Sequence, residues 1–335
     1  MIPASLANIK TRDGIVLEGI AILPRRKTKT ALIPHSGTGD AKRLALIWLH
    51  GLSSRFSSGQ KMIHELSSAC NSAGMGYFKF NMRGHDIATR AGDTMTGAGF
   101  ERFEDCAHDI RAMIRFARAQ GFTDIILAGH STGANKAVYY TATAKDKSVK
   151  GLVLLGAISD IVAFQKQMGK KKFANACAIA KRLRKNPRAL MPIEYGLFSA
   201  RRFWSLCNPG EREDTFPYYD AKRKWVSFES INVPMQVIIG NHDEHLDRKP
   251  ADYLAIFEHH ALLTKNFRGV IIKSANHGFK RKEKEVAEAV VAWIKMQNRI
   301  YTSGSSPSIG EVRRGSILHQ DLPPLTPPIL GGEKR

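Results

Sequence analysis

Asp124-Ile125-Ile126-Leu127-Ala128, then Gly129-His130-Ser131-Thr132-Gly133, then Ala134-Asn135-Lys136-Ala137-Val138-Tyr139-Tyr140 form an apolar β-prone run, a G-x-S-x-G pentapeptide and a helix-compatible run in succession. The context says more than the five letters do. A serine on a sharp strand-to-helix turn has strained backbone geometry, and its hydroxyl stands out above the end of a parallel sheet. Glycines flank it because side chains there would collide with the neighbouring strand and helix. Ser131 is therefore the candidate nucleophile.

A serine hydroxyl needs a base to take its proton, and the base needs a third group to orient it. On a strand–turn–helix scaffold the partners follow the serine in chain order, acid first and histidine second. Gly269-Val270-Ile271-Ile272-Lys273 reads as a strand, and Ser274-Ala275-Asn276-His277-Gly278-Phe279 as the loop that ends it. His277 is free there to lean over the sheet. His259 and His260 lie inside a helical stretch, and His319 lies in a tail-like segment. For the acid, Val233 to Ile239 is a short apolar strand followed by Gly240-Asn241-His242-Asp243-Glu244. Asp243 is the first choice to orient His277, with Glu244, His245 and Asp247 as neighbouring alternatives. An oxyanion hole takes two backbone N–H groups, one from the residue after the nucleophile and one from the loop after the third strand. These are Thr132 and, in His50-Gly51-Leu52-Ser53-Ser54 after the strand at 44–49, Leu52. His50 reads as a structural residue that hydrogen-bonds its own turn.

The chain resembles an α/β-hydrolase in Leu49-His50-Gly51, Asn81-Met82-Arg83-Gly84-His85-Asp86, Gly129 to Gly133, Gly240 to Asp243 and Asn276-His277-Gly278. All five pieces stand at strand ends in the family's order, and the resemblance covers roughly residues 9–299. One departure is Asp86, where many family members carry glycine after Arg-Gly-His. Gly-His-Ser-Thr-Gly-Ala-Asn with Arg-Gly-His-Asp upstream is similar to an esterase-like branch near the fungal siderophore-type esterases. The resemblance implies an α/β-hydrolase fold, a mostly parallel, doubly wound sheet with a helical cap insertion, and no cofactor.

The alternation of elements supports the same architecture. Strands are predicted at 15–22, 44–49, 76–81, 124–128, 151–156, 235–239 and 270–273, and helices at 60–73, 101–120, 133–144, 251–263 and 283–298. Strands apolar throughout, alternating with helices, imply a parallel sheet covered on both faces. Asp13-Gly14 between Ile9 and Ile15 signals a hairpin, so the first strand pair is expected to be antiparallel. In the last helix Val286, Ala289, Val290, Trp293 and Ile294 form an apolar stripe. The hydrolase core is assigned to 1–158 and 231–301, a helical cap to 159–230, and a disordered Pro- and Gly-rich tail to 302–335. In the cap, Phe164, Met168, Phe173, Ala176, Ile179 and Leu183 fall on one helical face, which would either dock the cap or touch substrate.

The 335 residues carry 51 Lys and Arg against 30 Asp and Glu, a net charge of +21. Residues 160–229 hold 15 basic and 7 acidic residues, a net of +8, so the excess belongs to the folded part and is densest in the cap. It reads first as a solvated surface. The functional reading is attraction to an anionic substrate, membrane surface or nucleic acid. No aromatic interleaving or nucleic-acid motif supports the last of these. Met1 to Asn8 lack the pattern of a signal peptide, no stretch is long and apolar enough to span a membrane, and Cys70, Cys106, Cys177 and Cys207 have no metal-binding spacing. A cytoplasmic protein with no metal site is the expectation. Its substrate is expected to be a small-molecule ester, with amide, thioester or lactone as alternatives. A non-catalytic binding module on the same fold is the competing hypothesis.

Overall fold

The computed structural model describes residues 3–24 and 43–302. The tail assigned to 302–335 therefore lies, apart from Thr302, outside the described residues, as does His319. The strands among the described residues run β1 Ser5–Lys10, β2 Val16–Ile22, β3 Leu44–Leu49, β4 Gly76–Phe80, β5 Thr89–Ala91, β6 Thr94–Thr96, β7 Asp124–His130, β8 Val149–Leu155, β9 Met235–Gly240 and β10 Phe267–Ile272. The α-helices among the described residues run α1 Gln60–Ser72, α2 Cys106–Ala119, α3 Thr132–Ala144, α4 Asp160–Met168, α5 Lys170–Leu183, α6 Ala200–Cys207, α7 Val226–Glu229, α8 Pro250–His260 and α9 Glu283–Thr302.

Eight strands form one sheet in the order β1-β2-β4-β3-β7-β8-β9-β10. The β1–β2 pair is antiparallel, as the Asp13-Gly14 signal predicts, the β2–β4 pair is antiparallel too, and every pair of this sheet from β4 onward is parallel. After β3 the chain first goes to β4 on one side, then crosses to β7 on the other. The crevice above the carboxyl ends of β3 and β7 is thus the topological switch point, where open α/β sheets place their sites.

Strand alternation splits the core into two layers. Ile125, Leu127, Leu152 and Leu154 face Ile110 and Met113 of α2, Val138 and Tyr140 of α3, and Tyr253 and Phe257 of α8. Ile126, Val153 and Ile238 face Met62 and Leu66 of α1 and Val286, Val290 and Trp293 of α9. The predicted stripe on the last helix is the face buried here, apart from the half-buried Ala289 at its edge. Burying a Leu, Ile or Phe side chain contributes roughly 1.5–3 kcal/mol, so these two layers dominate the stability of the sheet.

Between β8 and β9 the chain builds a third, smaller core. Phe173 and Ala176 of α5 pack with Tyr195, Phe198 and Phe203, and Phe164, Met168, Ile179 and Leu183 lie partly buried against them. All six residues of the predicted apolar face are used in this cluster, and Leu52 packs on it too. Farther along, Phe216, Tyr218, Trp225 and Phe228 belong to the main core instead. No helix among the described residues is long and apolar enough to cross a membrane.

Candidate active site

The pentapeptide forms a sharp elbow between β7 and α3. Ser131 has φ 55° and ψ −127°, a left-handed conformation that L-residues adopt only under constraint. The flanking glycines show the constraint. A Cβ on Gly129 would overlap the Gly133 carbonyl, and one on Gly133 would overlap the Leu49 carbonyl of β3. The Ser131 N–H donates to the Leu155 carbonyl of β8, which fixes the elbow to the sheet. Its hydroxyl carries no hydrogen bond among the described residues.

Asp243 and His277 meet at the same edge. His277 Nδ1 lies 2.8 Å from Asp243 Oδ2, and Asp243 Oδ1 accepts the His245 N–H at 3.0 Å. Burial pushes the Asp243 carboxyl up. The His277 hydrogen bond and charge and the His245 N–H outweigh it and hold the group below the ordinary aspartate range. Asp243 is therefore an anion that acts only as an acceptor, and the proton between the pair sits on His277 Nδ1. Gly156, with φ 53°, makes room for the pair. A Cβ there would lie 3.0 Å from His277 Cε1 and 3.1 Å from Nδ1.

The backbone of His277 is held from both sides. Its N–H donates to Glu244 Oε2 at 2.9 Å, and its carbonyl accepts from His130 Nε2 at 2.9 Å. Burial, followed by the neighbouring His277 charge, lowers the His130 pKa to about 4, so its imidazole is neutral with the proton on Nε2. Sequence reading kept Glu244 as an alternative to Asp243 and gave His130 no role. Asp247 pairs instead with Arg248 at 2.8 Å, and His245 packs its ring 4.5 Å from that of His277.

The turn after β3 closes over the serine. A Cβ on Gly51 would lie 3.0 Å from Ser131 Cβ and 3.6 Å from Oγ. The N–H groups of Leu52 and Thr132 donate no hydrogen bond within the described residues. His50 braces this turn. Its Nε2 accepts the Met82 N–H at 2.9 Å, which puts its proton on Nδ1, facing the Gly51 carbonyl at 2.9 Å. Burial, reinforced by the Lys136 charge, lowers its pKa to about 3. His260, at the end of α8, stacks on Trp225 and bonds Glu229, far from this edge in role.

Asp86, the departure from the family's glycine, has φ 53°. It holds that conformation with its carboxylate between Arg55, at 2.6 Å, and His85 Nδ1, at 2.8 Å. Asp is among the residues that tolerate this region, which explains how the turn survives the change. Behind the elbow lies a buried ionic group. Lys136 Nζ contacts both oxygens of Glu101 at 2.9 and 2.8 Å, and Arg202 joins Glu101 to Glu213. Among the described residues no group of three or more His, Cys, Asp or Glu side chains is placed to hold a metal ion.

Solved structures share this architecture. The Est1E protein of Butyrivibrio proteoclasticus, solved with ferulic acid bound, is 18% identical, with 87% of this chain and 99% of that one covered at a TM-score of 0.57. The esterase Pf2001 of Pyrococcus furiosus is 17% identical, covering 88% and 91% at 0.56. The siderophore hydrolase EstB of Aspergillus fumigatus is 14% identical, covering 87% and 98% at 0.63. These likenesses establish the α/β-hydrolase fold. No curated protein sequence matches the chain. The family described as "Protein of unknown function (DUF1749)" matches residues 15–297, and to that family the chain belongs.

Proposed function

We propose that the protein is a serine hydrolase that cleaves a carboxylic ester through an acyl-enzyme. The observation that carries this reading is the meeting, at one sheet edge, of a strained serine elbow with an Asp243–His277 pair whose tautomer leaves Nε2 free to accept a proton. The esterases among the fold neighbours support the same reaction class.

In this mechanism Ser131 Oγ attacks the ester carbonyl carbon while its proton moves to His277 Nε2. The Leu52 and Thr132 N–H groups, both without other partners among the described residues, receive the oxyanion. The tetrahedral adduct collapses, the C–O bond breaks, and His277 returns the proton to the leaving alcohol. Water then attacks the acyl-serine with His277 again as base, and releases the acid. Asp243 holds the tautomer and stabilises the imidazolium. The free hydroxyl of Ser131 fits a site whose catalytic hydrogen bonds tighten only when substrate arrives. The helices between β8 and β9 act as a cap, and Leu52 is the residue through which the cap touches the oxyanion turn.

The test is a fluorophosphonate probe followed by intact mass spectrometry and peptide mapping. One adduct on Ser131, absent in Ser131→Ala, is expected. No adduct, or one that persists in Ser131→Ala, overturns the proposal.

A further inference from the structure

Twelve buried side-chain N or O atoms among the described residues lack a hydrogen-bond partner, and five of them belong to residues lining one small cavity. They are Asn135 Oδ1, Ser159 Oγ, Asp160 Oδ2, Asp214 Oδ1 and Thr215 Oγ1. The cavity offers about 10 Å³ to the centre of a water-sized sphere, room for a single particle. Asn135, Ser159, Asp160 and Thr215 are all more than nine-tenths buried.

All five atoms are hard oxygens, and three of them, the amide and, when ionised, the two carboxylate oxygens, only accept. Burial pushes both carboxyls up, Asp160 well above the ordinary aspartate range, so each is an anion here only where a cation offsets it. A single water has two protons for those three acceptors and brings no charge. Nearby cations, Arg202 and Lys136 for Asp160 and Arg223 for Asp214, only partly offset the burial of these carboxyls. Lys136 is bound to Glu101, and Arg202 is bound to Glu101, Glu213 and the Ala98 carbonyl. That group of two cations and two anions is neutral in itself, and neither Asp160 nor Asp214 forms an ion pair among the described residues. The other oxygen of Asp214 already accepts from the Gly210 N–H and the Tyr219 hydroxyl. Asn135 Nδ2 donates to the Glu213 carbonyl, which fixes the amide so that Oδ1 is the free end.

We propose that this cavity is a binding site for one dehydrated monovalent cation, held by the oxygens of Asn135, Ser159, Asp160, Asp214 and Thr215. Such an ion satisfies five oxygens at once and offsets one buried negative charge. It also ties three parts of the chain together. Asn135 lies on the first turn of α3 after the elbow, Ser159 and Asp160 open α4 just beyond Gly156, and Asp214 and Thr215 belong to the segment that leads back to the main core. The ion is thus a clamp between the nucleophile helix and the segment that follows β8. The inference stands apart from the hydrolase reading, since its readouts are binding and stability.

The experiment is thermal unfolding of the full chain in sodium, potassium, ammonium and choline chloride at equal ionic strength, with crystals soaked in thallium(I) as the direct probe. At 100 mM, at least one of the small cations is expected to raise Tm by about 3 °C or more over choline, saturably, because a ligand bound only by the folded state stabilises it. Thallium(I) is expected to give an anomalous peak in the cavity. Asp214→Asn, which keeps the shape, is expected to lose at least half of the Tm rise. Identical Tm in all four salts, or density for a water with no anomalous signal beside a protonated Asp160, overturns the proposal. The comparison of salts on the unaltered protein decides the matter even where a variant fails to fold.

Discussion

Replacement of Asp243 by Asn removes one charge and almost no volume, and the structure says which way the new amide must turn. Both carboxylate oxygens accept from N–H groups, Oδ1 from the His245 backbone and Oδ2 from His277 Nδ1. The backbone donor cannot reverse. The Asn oxygen therefore stays with His245, and its NH₂ faces His277. Nδ1 then has to accept, the imidazole proton moves to Nε2, and the nitrogen that should take the serine proton is blocked. This is the same tautomer error that costs about 10⁴ in kcat in a Ser-His-Asp protease. The same factor, about 5.4 kcal/mol at 1.36 kcal/mol per tenfold, is expected here. The assay is kcat for a short p-nitrophenyl ester, paired with ¹⁵N NMR of His277 to read the tautomer. A variant within tenfold of the wild-type kcat would refute the reasoning, as would Asp247→Asn proving the more damaging change.

Ser131→Ala should abolish turnover of the same esters, leaving at most the residual rate that oxyanion donors provide, and wild-type-like turnover would remove Ser131 from the mechanism. Gly156→Ala should lower kcat at least tenfold, because its Cβ would press on the His277 ring from a backbone at φ 53°; steady-state kinetics with a crystal structure of the variant check this. His50 and His130 are held neutral, with pKa values of about 3 and about 4 against 6.5 in the unfolded chain. Their folded pKa values are depressed, so the unfolded chain takes up protons first. Stability is complete above pH 6.5 and falls as the pH drops toward 4, by about 2 kcal/mol per histidine between 6.5 and 5. Urea melts at pH 7 and pH 5 measure the fall, which His130→Gln should roughly halve and which no difference between the two melts would contradict. The +8 balance of residues 160–229 predicts that an acid-bearing ester gains in kcat/KM over a neutral one of equal length at low salt, with the gain screened at high salt. Equal salt dependence of both esters would mean that the basic surface is only solvated.

Strand ends were the most legible part of the chain, because an apolar run followed by glycine and polar residues has few other readings. Residues 49–52, 129–133, 240–243 and 276–278 each follow such a run, which is why the sequence groups them at strand ends. Within a loop the pattern gives no direction. Asp243 and Glu244 are adjacent in sequence, yet one carboxylate meets the His277 ring and the other its backbone N–H. The β5–β6 hairpin was missed because its two three-residue strands are largely exposed and carry no apolar run. The helix predicted at 101–120 begins only at Cys106. Glu101 is drawn off to Lys136 and Arg202, and a 3-10 turn fills Phe103–Asp105. Burial of Lys136 and Arg202 left no trace in sequence, since a lysine on a helix and an arginine in a basic segment read as solvated. The last helix runs to Thr302, past the expected end at 298, because nothing in 299–302 breaks it.

His130 connects the two halves of the proposed chemistry through the main chain. It precedes Ser131 in the elbow and grips the carbonyl of His277. Ser131 and His277 therefore share a common frame of reference, the carboxyl end of β7. One hydrogen bond thus ties the placement of the elbow to that of the His277 main chain. The tie comes from the one side chain that a G-x-S-x-G pattern leaves unspecified before its serine.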